Sequence, residues 1–401
     1  MMFRRCIYMS VVLCTVLAGC ADDSFKGNSD GLYGDNGQSI PVVVALGDPS
    51  GGITKGVGAM DSMEEWDGSN IYVYAFSKDA GISYSTAGTE NSLKCLVDAS
   101  KDDLGSLAGK KAKINARNTY AEWDVDDENM VYPFGESKEH AYDFFAYYVD
   151  DLVVNNRDIR RENDAVVIEL EIDGTQDIMS SKAVISERQL APYPERDQAL
   201  IQEKGYSFYT AQRNIIPTFV FNHHLVRLEF EIHSGLVVDE HKSVEIHGFE
   251  VASNYKASFT VASKDAGRMG LVFGDEKKDM SLTEDGGDPF KEGRYNVSLR
   301  PSEAVQGDVF KMGGCLLVAP AEQYTAYMTM TEKRSDGSVV IGRARTPLTI
   351  SYASGQFKAG NQYKVKLTVY GATRVSASVE MEPWRFGGQI DMDTENDKPI
   401  I

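Results

Sequence analysis

Cysteine is scarce in this chain. Of five in 401 residues, Cys6 and Cys14 sit in an apolar stretch at the amino terminus and Cys20 closes it, which leaves Cys95 and Cys315. Two residues so far apart imply no disulfide framework, although a single bridge between them stays open in an oxidising compartment. Long apolar runs are missing too. The stretch Ile7 to Val16 is too short to cross a hydrocarbon layer of about 30 Å as a helix, which argues against a retained transmembrane anchor. Positive charge is deficient: 41 Lys and Arg face 60 Asp and Glu, a formal charge of −19, and no basic cluster interrupts the acidic background. Such a surface repels phosphate and excludes nucleic acid as a partner. There is no serine elbow between a strand and a helix, no phosphate loop, and no His-x-Glu, Cys-x-x-Cys or His-Glu-x-x-His spacing. No active site, metal or cofactor is inferred, and the chain is not read as an enzyme.

What is present begins with Arg4 and Arg5, the apolar stretch, and Leu17-Ala18-Gly19-Cys20. This is the pattern of a cleavable lipoprotein signal, residues 1–19, with Cys20 as the lipidated residue. Each buried lipid methylene contributes about 0.8 kcal/mol, so several acyl chains on one cysteine make a durable anchor in the outer membrane. Loss of Arg4 and Arg5 with the signal takes the formal charge from −19 to −21. The acidic pair Asp22 and Asp23 resembles the signal that sends Bacteroidales-type lipoproteins to the cell surface; a solvated acidic linker is the plainer reading. Residues 20–38 are rich in Asp, Gly, Asn and Ser and read as a flexible tether.

About 380 mature residues fit two domains, expected at 39–218 and 219–401, with the junction near Ile216 to Asn222. Short β-branched and aromatic runs bounded by Gly, Asn, Asp or Pro recur along both halves and indicate an all-β sandwich architecture. The strand candidates are Ile40–Leu46, Ile71–Phe76, Tyr142–Val149, Ala165–Ile172, Phe219–Ile232, Ser243–Val251, Lys256–Ala262, Cys315–Ala319, Tyr324–Thr331, Gln362–Tyr370 and Arg374–Met381. Pro41 suits an edge strand or a strand beginning. One surface helix is expected over Pro194–Lys204, with acids in its first turn and Gly205 past its end.

Histidines crowd between His223 and His247, so a metal site has to be weighed. In Val226–Ile232 the apolar residues Val226, Leu228, Phe230 and Ile232 share one face and Arg227, Glu229 and Glu231 the other. That phase puts His223 on the polar side and His224 on the core side, and adjacent strand residues cannot hold one ion. A hydrogen-bonded, half-buried His224 is expected instead. The acidic run Asp124–Asn129 lacks the glycine and glutamate of a calcium loop and reads as a solvated turn.

In order along the chain come the lipobox, Ile40–Leu46 followed by Ile53-Thr54-Lys55-Gly56, Ile71–Phe76, and Tyr132-Pro133-Phe134-Gly135 leading to Tyr142–Tyr148. Then follow Asp177–Ser181, Phe219–Leu228, Leu316–Pro320, Ala359–Tyr363 and Met381-Glu382-Pro383-Trp384. This series resembles the fimbrillin superfamily, the lipoprotein subunits of type V pili. The resemblance implies two tandem transthyretin-like β-sandwiches and a polymer-forming role. A protease would cut after Lys55, before Gly56, and remove the first strand with its inward residues Ile40, Val42, Val44 and Leu46. A strand from another fimbrillin subunit would fill the groove, curing the exposed apolar surface and the unpaired backbone together. The implied partners are like or unlike fimbrillin subunits, the outer membrane through the lipid, and ligands on host or bacterial surfaces. Better-known members are cut after arginine, and here no arginine lies between Arg5 and Arg117; a protease accepting lysine, or an anchor subunit that keeps its first strand, would account for this. Val375, Ala377, Val379 and Met381 alternate on one face of the last strand, which reads equally as a donor strand or as the closing strand of the second sandwich. The rival function is a surface glycan-binding lipoprotein using exposed aromatics such as Trp66 and Trp123.

Overall fold

A computed structural model describes residues 40–46, 67–79, 81–85, 94–98, 107–115, 120–123, 130–133, 140–150, 154–237, 242–282, 297–299, 309–382 and 384. The expectations at Cys20, Asp22, Asp23, Lys55, Gly56, Trp66 and Asp124–Asn129 lie outside the described residues.

The fold is all-β, with four sheets among the described residues. The largest has nine strands, in the order β10 (Thr218–Phe219), β1 (Val44–Leu46), β5 (Tyr120–Trp123), β4 (Lys110–Asn115), β2 (Asn70–Ser77), β6 (Tyr142–Val149), β9 (Ile178–Lys182) and β11 (Asn222–His223). The ninth, β3 (Cys95–Val97), pairs with the end of β2 that β4 leaves free. A second sheet runs β15 (Gly270–Phe273), β14 (Lys256–Ser263), β8 (Ala165–Glu171), β7 (Ile159–Arg161). A third runs β18 (Val309–Val318), β12 (Val226–Ser234), β21 (Gln362–Gly371), β22 (Arg374–Glu382). The fourth runs β16 (Lys277–Ser281), β13 (Lys242–Asn254), β19 (Gln323–Arg334), β20 (Val339–Ser351), with β17 (Val297–Leu299) also on β13.

Strand chemistry explains these layers. In β6 almost every residue is apolar because the nine-stranded sheet is covered on both faces. Tyr142, Phe144, Ala146 and Tyr148 pack with β1 and the helices, whereas Phe145, Tyr147 and Val149 pack toward Ile168 and Phe259 of the second sheet. In the other sandwich Phe230 of β12 meets Phe249 of β13, with ring centroids 4.7 Å apart. A bulge between Ile246 and Gly248 resets the phase of β13, so Val244 and Ile246 and then Phe249 and Val251 all point inward.

The single strand expected over Phe219–Ile232 is three. Phe219 ends β10, Asn222 and His223 form β11 at the opposite border of the nine-stranded sheet, and Val226 opens β12 in the other sandwich. Apolar alternation persists through this crossing because each piece meets a different core. The chain also returns: β13 belongs to the fourth sheet, whereas β14 pairs with β8 in the second. One sheet therefore joins strands from both sides of residue 218.

Among the described residues three α-helices cover one face of the nine-stranded sheet: α1 (Glu187–Leu190), α2 (Glu195–Lys204) and α3 (Phe208–Ala211). Pro194 caps α2 and Gly205, at φ 53°, ends it, close to the single helix expected from the sequence. They bury Leu190, Ile201 and Phe208 in the core that also holds β1.

Candidate functional site

The segment Ile40–Leu46 lies one place in from the border of its sheet. Outside it, among the described residues, stands β10, two residues long, in parallel register with Ala45 opposite Thr218 and Leu46 opposite Phe219, and the Ala45 N–H donates to the Pro217 carbonyl at 2.9 Å. On the inner side Val44 and Ala45 pair with Ala121 and Tyr120 of β5. Upstream, Pro41 bridges to Val131; the Val42 N–H donates to the Met130 carbonyl at 2.6 Å, and the Tyr132 N–H donates to the Ile40 carbonyl at 2.9 Å. Ile40, Val42, Val44 and Leu46 are all buried, as their alternation requires. The strand is thus strongly held by its apolar face and lightly held by its backbone. A small cavity of about 30 Å³ beside it is lined by Ile40, Pro41, Val43, Tyr132, Ile215 and Pro217 among others.

Trp123 is a clamp on this segment. Its indole is half-buried against the core, and its Nε1–H donates to the Val42 carbonyl at 2.9 Å. A Trp123→Phe variant keeps most of the packing and deletes this bond, a loss of about 1 kcal/mol. Faster amide exchange at Val42 to Leu46, measured by mass spectrometry, is the expected result; unchanged exchange would mean that the indole bond does not hold the strand.

At the other end of the chain, β22 pairs along its length with β21. Val375, Ala377 and Val379 are half-buried on its apolar face, and Met381 is 48% exposed. Lys364–Glu382 and Lys366–Glu380 ion pairs, at 2.9 and 2.8 Å, fasten the strand from the outside. In this state β22 closes its own sheet, so any donor role requires it to leave. Trp384 just beyond is only 5% exposed and stacks on His223 at 3.9 Å.

That stacking corrects the expectation for His223. It is buried, because Trp384 covers it and its Nδ1 is hydrogen-bonded to Asp177 Oδ1 at 3.1 Å. His224 is hydrogen-bonded and half-buried, with Nε2 2.7 Å from Ser180 Oγ. Among the described residues no group of three or more His, Cys, Asp or Glu could hold a metal ion. Cys95 and Cys315 are both buried.

Burial lowers the His224 pKa to about 4, against the opposing pull of Asp177. The unfolded chain titrates near 6.5. Between these values the unfolded state binds the extra proton, so stability falls as pH drops from about 6.5 toward 4. His224→Gln should flatten this limb, whose slope approaches about 1.4 kcal/mol per pH unit. Thermal melts across the window test it, and an unchanged slope would remove His224 as the cause.

The chain is similar to fimbrial and cell-adhesion proteins. A fimbrial protein from Bacteroides vulgatus is 11% identical, with a TM-score of 0.46, over 86% of this chain and 99% of that one. A proposed cell-adhesion protein from Bacteroides uniformis is 14% identical, with a TM-score of 0.43, over 88% and 100%. The fimbrial anchor protein Mfa2 from Porphyromonas gingivalis is 9% identical, with a TM-score of 0.31, over 86% and 99%. No family model and no curated protein matches the chain. No helix among the described residues is long and apolar enough to cross a membrane.

Proposed function

We propose that this chain is a fimbrial subunit or an accessory adhesion lipoprotein that assembles with other subunits by exchange of its first strand. The observation that carries the reading is the setting of Ile40–Leu46: four buried apolar side chains on a segment that, among the described residues, is bordered on its outer side by the two-residue strand β10 and the Pro217 carbonyl before it. Removing such a strand leaves a continuous apolar groove and the free edge of β5, and an extended segment from another subunit would satisfy both at once. Export as a precursor lipidated at Cys20, surface display directed by Asp22 and Asp23, and cleavage between Lys55 and Gly56 complete the proposal. The candidate donor residues Val375, Ala377, Val379 and Met381 would act only after β22 detaches from β21.

Mass spectrometry of material sheared from the cell surface tests this reading. High-mass assemblies whose chains start at Gly56 are expected. Recovery of monomers alone, all beginning at lipid-bearing Cys20, would overturn the exchange of the first strand.

A further inference from the structure

A cleft of about 310 Å³ opens where β2, β6 and β9 end beside the carboxyl end of α2. Its volume lies at the lower limit of small-molecule sites, enough for one sugar-sized group. The lining is divided. Tyr142, Ala183 and Ile185 give it an apolar wall, and Val184 beside them is 70% exposed. Lys78, Asp143, Lys182 and Gln202 supply polar groups. Gly205, whose φ of 53° favours glycine, also lines the cleft.

The charges are unequal. Lys182 Nζ is held by the Asp143 carboxylate at 3.0 Å, so this pair is neutral as a whole. The carboxylate next along the chain, Asp79, is turned to His140 Nε2 at 3.2 Å. Among the described residues no carboxylate pairs with Lys78, an exposed ammonium in a chain of formal charge −19.

The geometry points to a binding site for a monoanionic, hydroxyl-rich molecule, a sugar acid. The Lys78 ammonium, which no carboxylate pairs among the described residues, matches one carboxylate, and a charge-assisted bond between them is the strongest contact the cleft can offer. A phosphate dianion would leave a charge unmatched next to Asp143. Hydroxyl groups suit the rest of the lining: Asp143 accepts, Lys182 donates, and the Gln202 amide does both. The cleft takes its lining from the ends of β2, β6, β9 and α2, and no residue of Ile40–Leu46 lines it.

Calorimetric titration of the full chain with glucuronate, glucose and acetate tests the proposal. Saturable glucuronate binding with Kd of about 1 mM is expected, weakened about tenfold or more by Lys78→Glu. Glucose, which lacks the carboxylate, and acetate, which lacks the hydroxyls, should each bind at least about tenfold more weakly than glucuronate. An oligosaccharide ending in glucuronate, titrated in parallel, separates a glycan terminus from the free acid: whichever of the two binds more tightly is the source. Lys78 is exposed, so the variant should melt at the wild-type temperature. Absence of glucuronate and oligosaccharide binding, or equal binding by wild type and a folded Lys78→Glu, would overturn the site.

Discussion

A chain truncated to begin at Gly56 should lose its folded first sandwich as an isolated monomer and regain it when a peptide spanning residues 39–47 is added. The four inward side chains Ile40, Val42, Val44 and Leu46 are buried almost completely. At roughly 1.5–3 kcal/mol each they contribute about 6–12 kcal/mol, which rivals the whole stability of an ordinary domain, about 5–15 kcal/mol. The core that this strand completes also holds Tyr132, Phe144, Phe219 and the helix residues Leu190 and Phe208, and opening it exposes a surface too apolar to face water. Truncated material should therefore elute as concentration-dependent oligomers in size-exclusion chromatography. Peptide addition should restore a monomer and a cooperative melt, and substituting Asp at the position of Val44 in the peptide should abolish the rescue. A truncated chain that stays monomeric with an unaltered melting temperature would mean that the first strand is decoration, and the exchange reading would fall.

Much of this architecture was legible in the residues. Strands with one buried face, such as β12 and β21, announce themselves by alternation, and β6 does so by continuous aromatic character that only a two-sided core explains. Helix α2 was readable from Pro194 and Gly205, which punctuate it. The apolar run Ile40–Leu46 read as a strand, and of the two places that Pro41 suits, an edge strand or a strand beginning, the structure has the second, since β10 lies outside β1. What stayed hidden has a physical cause in each case. Strand β20 is a border strand carrying Gly342 and Pro347 and exposing most of its first half, so its alternation emerges only at Leu348 and Ile350. The break of Phe219–Ile232 into three strands is invisible because every piece is apolar toward a different partner. Burial of His223 depends on Trp384, more than 150 residues later, and no local phase could reveal that cover. The clamp by Trp123 is likewise a long-range contact, across 81 residues, and a half-exposed indole on a short strand looks the same in sequence as a sugar-stacking platform.

Asp98→Ala should be among the most damaging single substitutions in the first sandwich, costing about 3–5 kcal/mol. Asp98 follows β3 in the nine-stranded sheet and Arg161 ends β7 in the sheet packed on it, and the two are joined by paired hydrogen bonds of 2.6 Å each. Their side chains are 0% and 6% exposed. Burial alone would lower the Arg161 pKa, yet the bonds and charge of Asp98 outweigh it and the net direction is upward, so the guanidinium stays charged. Removing the carboxylate strands that charge among the Tyr74 ring, 5.3 Å away, and the Leu107 carbonyl. A fall in melting temperature of about 6–20 °C is expected for a unit of this size. The discriminating variant is the double replacement Asp98→Leu with Arg161→Met, which takes out both charges and keeps the volume. It should recover most of the loss, because the penalty comes from the unpaired ion and not from the absence of the bridge. If the double variant is as unstable as Asp98→Ala, the pair must instead be holding the two sheets in register, and the coupling in a double-mutant cycle would then equal in size the cost of one single replacement, not the sum of both.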